Sequence, residues 1–307
     1  MSVSDADSYS VETYLINSGA LQAYAAIEGG VNVIAIHLGA VFIVRDLFDQ
    51  MLSHPENFTH MGIASKERVR NDYEPERRTI DLGTVKSRRW QPLDEARIGY
   101  ASTLAIAALD HLFQHELGHT FNGHTALLKR MVGLNSFPET GASSIAGINN
   151  LDRQTLEFDA DCFAIGDSTI RVSTESGSRA GGLYTLLCAV YLLHKVFSVG
   201  SNSQSIDEVL SSDHPPAHIR LRLILGSCIE VVENYNMLPM VEFGKLVTRV
   251  MVDCEEGFAR LLGSPVDPNN LLGDAALTDP LLSMLLENWK LLRPQLLPLS
   301  FDGRLNP

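Results

Sequence analysis

Residues 92–121 read PLDEARIGYASTLAIAALDHLFQHELGHTF, and their periodicity decides the fold. No proline follows Pro92 in this stretch, so the spacing predicts one long helix from about Leu93 to beyond Phe121. Asp94 and Glu95 suit its first turn, where the helix dipole favours negative charge. Further helices are expected at about 153–171, 182–198, 215–235, 238–262 and 279–292, punctuated by polar runs at 173–178 and 200–203. Upstream, VNVIAI at 31–36 is β-branched and short, as a strand should be. AVFIVRDLFDQMLSHP then has helical spacing and stops before Pro55. Residues 1–30 carry one apolar stripe (Tyr14, Leu15, Leu21, Tyr24, Ala25), and 56–92 reads as a solvated connection with a strand or hairpin near Thr79–Val85. Residues 134–152 are rich in Gly, Ser and Asn and read as a loop. The expected class is mainly α (α+β) with a small N-terminal β-sheet. It divides into a strand and helix part at 1–91, a helical core at 92–236 and a helical extension at 237–307.

Composition narrows the function. The chain has 307 residues, 24 Lys plus Arg against 37 Asp plus Glu, and a net charge of −13. An acidic chain is repelled by a phosphate backbone, so no nucleic-acid partner is expected. The arginines between Arg68 and Arg89 are diluted by acidic neighbours and read as a solvated face. The N-terminus shows no basic region followed by an apolar one. The apolar stretches at 29–44, 98–109 and 181–193 are shorter than a membrane span. Cys162, Cys188, Cys228 and Cys254 form no CxxC pattern and read as free thiols, which makes the cytoplasm the expected location. The sequence leaves the oligomeric state open.

Three segments carry chemistry. His115-Glu116-Leu117-Gly118-His119 is an HExxH motif inside the long helix. Histidines at i and i+4 share one face, so both rings reach one small sphere, as Zn²⁺ requires. Glu116 lies on the flank, placed to take a proton from a metal-activated water. His111, one turn back, reads as a helix-face or core histidine. In Glu157-Phe158-Asp159-Ala160-Asp161-Cys162-Phe163-Ala164, Glu157 and Asp161 share a helix face, and the apolar residues predict tight packing against another helix. Glu157 completes a His, His, Glu ligand set, and Asp161 accepts the outer N–H of a ligand histidine. Asp159 lies about 200° from Glu157 around the helix and ranks below it as a ligand. Cys162 reads as a small buried residue. In Asp213-His214-Pro215-Pro216-Ala217-His218-Ile219-Arg220, the prolines place His214 just before a helix N-terminus. His214 and Arg220 are expected to stabilise an oxyanion.

The order HELGH, EFDADCFA, DHPPAHIR resembles the gluzincin metallopeptidases, over about 115–220. It is nearest the branch of the CAAX prenyl protease and the heat-shock membrane protease, and it also resembles the phage-exclusion Lit type. Asp159 stands where that branch has Glu. The metzincin pattern fails, because Asn122 and Thr125 stand where it needs Gly and His, and His124 reads as a helix-end, pocket-rim or surface histidine. The resemblance implies a zincin-like helical core. It assigns zinc to His115, His119 and Glu157, the base role to Glu116, outer support to Asp161 and substrate contact to His214 and Arg220. The implied activity is a soluble zinc endopeptidase with a cytosolic polypeptide substrate. The alternative is a metal-binding regulatory or DNA-damage-responsive module in stress or phage defence. The Leu-rich run at 281–292 is amphipathic and is expected to pack on its own domain.

Overall fold

The computed structural model describes residues 10–69, 73–74, 77–84, 90–138, 148–175, 177–198, 205–212, 214–266, 275–303 and 305. Residues 139–147 of the expected loop, the polar run at 200–203 and Asp213 lie outside the described residues. The fold is mainly α with a small sheet.

The sheet comes first. Strands β1 (Val11–Ile16), β2 (Ala23–Glu28) and β3 (Val31–His37) are joined by a later strand, β4 (Ser136–Pro138), in the order β1-β3-β2-β4. β3 is central, parallel to β1 and antiparallel to β2, and β2 also pairs with β4 in antiparallel fashion. Only β3 was legible from sequence. β2 is AYAAIE, and its alanines have weak strand preference. β1 leaves four central side chains exposed and so lacks a buried alternation. Among the described residues near Thr79, the connection contributes one bridge to Ala20 rather than a full strand, and Val85 lies outside them.

Helix α1 (Leu38–Ser53) leaves β3 directly and ends before Pro55, as its spacing predicts. Helix α2 (Glu95–Phe121) is the long helix of the sequence, and Asp94 caps its start by accepting the Ala96 N–H. It stops at Asn122. A short helix, α3 (His124–Val132), follows where no helix was expected. Helix α4 (Asn150–Glu175) begins inside the expected loop because Asn149 accepts the Asp152 N–H at 2.7 Å. Helix α5 (Arg179–Ser198) is followed by α6 (Ile206–Ser211), which Ser205 caps through the Glu208 N–H. Then come α7 (Ala217–Asn234), α8 (Met240–Leu262) and α9 (Ala275–Leu296).

One large core joins α1, α2, α5, α7 and α8. Helix α5 sits at its centre and is apolar nearly all round. It is long and apolar enough to cross a membrane, yet 67% of that stretch is buried within the fold. The Leu-rich helix α9 packs on its own chain. Leu281 and Leu285 meet Val209, Ile219 and Leu223, while Trp289, Leu292 and Leu296 meet Leu127, Leu128 and Leu156. Each such buried side chain contributes roughly 1.5–3 kcal/mol through apolar burial.

The arrangement that positions the site is α2 against α4. A Cβ on Gly118 would lie 3.2 Å from the Ala160 backbone and 3.2 Å from the Phe163 ring. Glycine in HELGH therefore lets α4 approach closely, and the small, buried Ala160 and Ala164 complete the contact.

Candidate metal centre

The close approach brings Glu157 of α4 over the two histidines of α2. His115 Nε2 and His119 Nε2 are 3.1 Å apart. Glu157 Oε2 is 3.4 Å from His115 Nε2, and Oε1 is 3.7 Å from His119 Nε2. Donors about 2.0–2.1 Å from a tetrahedral zinc are roughly 3.3–3.4 Å from each other. The two ring nitrogens and the carboxylate thus have spacings close to those zinc needs, and their chemistry fits a catalytic rather than a Cys-rich structural set.

All three candidate side chains are buried. Burial opposes charge on Glu157, but His214, His115 and His119 together hold its carboxyl well below the usual carboxylate range. Burial, with the neighbouring His115, pushes His119 well below the usual imidazole range. A neutral imidazole and an ionised carboxylate are the forms a metal requires. Glu116 is fully buried beside them on α2.

Asp161 Oδ1 lies 2.9 Å from His115 Nδ1, within hydrogen-bond reach of the ring's outer nitrogen. Burial works against its charge, yet Arg220 and His115 keep it strongly ionised. Arg220 corrects the sequence reading, which puts it on the substrate side. Its Nε and Nη2 donate to the two oxygens of Asp161, both at 2.8 Å. Nη2 also approaches Glu157 Oε2 to 3.6 Å. A buried carboxylate needs a counter-charge, and the guanidinium fork supplies one bidentately. His214 does precede a helix, with Pro216 capping α7. Its Nδ1 is 3.4 Å from Glu157 Oε2, and its side chain is 21% exposed with both ring nitrogens buried.

One more expectation changes. His124 is not at the surface; it is fully buried at the start of α3. Asp159 points away from the ligands and takes hydrogen bonds from Asn122 and His124. Cys162 bonds Ser227 at 3.0 Å, and burial pushes its thiol far up, so it is a protonated packing residue.

A second buried group, His111, Asp161 and His194, also has converging nitrogen and oxygen atoms. Asp161 is already engaged by Arg220 and His115, and the guanidinium's charge opposes a second cation there. His111 stacks edge-on to His194, with centroids 5.9 Å apart. Burial lowers its pKa to about 4, so the native state holds it neutral. The unfolded chain takes up that proton near pH 6.5, before the folded chain does. Stability contributed by neutral His111 is complete above pH 6.5 and falls as pH drops towards 4, by about 3 kcal/mol over the window. Denaturant titrations of the metal-free protein at pH 7 and pH 4.5 should show this loss, and His111→Met should flatten it. An equal slope in that variant would refute the assignment.

Set against family models, curated proteins and solved structures, the chain matches none.

Proposed function

We propose that the chain is a zinc-dependent endopeptidase that hydrolyses a cytoplasmic polypeptide. The supporting observation is the spacing of His115 Nε2, His119 Nε2 and the Glu157 carboxylate at 3.1–3.7 Å, with Glu116 on the next position of the same helix. The ordered motifs, which resemble those of gluzincins, support the same reading. Zinc held by these residues supplies a water of lowered pKa and a Lewis acid for the scissile carbonyl. Glu116 accepts the water's proton and passes it to the leaving amine. Asp161, held by Arg220, keeps His115 in the tautomer that offers Nε2. His214, which borders the ligand carboxylate, would stabilise negative charge on the carbonyl oxygen.

Complete burial of Glu116 and Glu157 favours a second reading, a metal-holding regulatory module without turnover. Both readings need the metal, so metal content comes first. Protein purified without chelator should carry about one zinc per chain by mass spectrometry. Glu157→Ala should lose it, while Asp159→Ala should lose far less, because only Glu157 faces both histidines. Equal losses would reject Glu157 as the third ligand. No zinc after reconstitution would reject both readings.

A further inference from the structure

Behind His119 lies a row of buried polar groups that the motifs do not announce. His119 Nδ1 is 3.0 Å from His124 Nδ1. His124 Nε2 is 3.1 Å from Asp159 Oδ2, which also accepts the Asn122 side-chain amide. His119 and His124 are fully buried, and Asp159 is 5% exposed.

Proton placement follows from this order. For His119 to offer Nε2 to a metal, its Nδ1 must carry the hydrogen. That N–H points at His124 Nδ1, which must then be the acceptor. A neutral His124 accordingly carries its own hydrogen on Nε2 and donates it to Asp159. Every donor meets an acceptor, and the row ends on a carboxylate.

We propose that His124 and Asp159 are positioning residues for the metal centre: they set the tautomer and ring plane of His119. The inference rests on the zinc reading above. It gives each ligand histidine its own aspartate from α4. Asp161 acts on His115 directly, and Asp159 acts on His119 through an intervening ring. The two aspartates are two residues apart, so they project from α4 in directions about 200° apart and can serve opposite sides of the site.

The backbone is shaped for this contact. Helix α2 ends at Asn122, Gly123 turns with φ +80°, and α3 begins at His124. A Cβ on Gly123 would be strained at that φ and would also meet Leu299 at 2.8 Å. The segment after α9 therefore closes over the turn that seats His124. Phe301 stacks on Phe121 at the end of α2, 5.1 Å between centroids.

The test uses the full chain, stripped of metal and titrated with Zn²⁺ against a competing chelator and with Co²⁺ for its visible absorption. Loss of an outer partner typically costs 10–100-fold in metal affinity. His124→Leu should fall by about that factor and shift the Co²⁺ absorption. His124→Asn places an amide oxygen near the lost Nδ1 and should recover part of the affinity. Asp159→Asn should weaken binding by about tenfold, with the fold intact by circular dichroism. If His124→Leu fails to fold, the two Asn variants decide. Zinc affinity and Co²⁺ spectra unchanged in both would overturn the relay and leave the zinc site standing. Equal losses in the Leu and Asn variants of His124 would mark packing alone and overturn it too. A wild type that binds neither metal would overturn the relay together with the zinc reading.

Discussion

Glu116→Gln is expected to keep its zinc and to lose peptide hydrolysis by at least about 10²–10⁴-fold. The amide has nearly the shape of the carboxylate but cannot take a proton from water. Glu116 is not among the three convergent donors, so the ligand set stays whole. The side chain is fully buried, and the amide fills the same volume. The variant should therefore keep a denaturation midpoint near the parent's, which separates loss of chemistry from loss of fold. Metal content, a denaturation midpoint and mass spectrometry of a peptide mixture suffice to test it. Cleavage within tenfold of the parent would remove Glu116 as the base. A parent that binds zinc but cleaves nothing would favour the regulatory module.

The second large effect is expected far from the site. Arg97 is fully buried, and all five of its N–H groups donate to backbone carbonyls. Nε bonds Leu52 at 2.7 Å, Nη1 bonds Phe58 and Met61, and Nη2 bonds His54 and Asn57. These carbonyls include the end of α1, where no helical partner remains, and the loop after it. Glu67 lies 3.7 Å from the guanidinium and accepts the N–H groups of Leu93 and Asp94 at the entry to α2. One side chain thus ties the end of α1 to the start of α2. Arg97→Met keeps the apolar stem but strands five carbonyls and the Glu67 charge. The expected loss is about 4 kcal/mol or more, against a total stability of roughly 5–15 kcal/mol. Arg97→Lys should recover only part, because three donors on one nitrogen cannot serve five carbonyls. A loss below about 1 kcal/mol in denaturant titrations of Arg97→Met would show that the clamp is dispensable.

Nothing in the sequence marks Arg97 as different from the arginines around it, whereas the candidate ligand histidines are plain. His115 and His119 share a face because the helical repeat is 3.6 residues, and that holds wherever the helix packs. Other local rules exposed α1, β3, the tight packing implied by Ala160 and Ala164, and the place of His214 ahead of α7. The sequence by itself therefore determined the helical class, the long helix and the candidate ligands, since each depends on residues a few positions apart. Tertiary structure alone decided the partners. Arg220 closes on Asp161 instead of facing outward because α7 carries it to a buried carboxylate on α4. His124 becomes a neighbour of His119 because one left-handed glycine, pressed by Leu299, reverses the chain there. β2 exists because β3 and β4 flank it to pair with, not because its alanines favour strands. Such choices are set by which surfaces meet, and the meeting of distant segments leaves no periodic trace in either one.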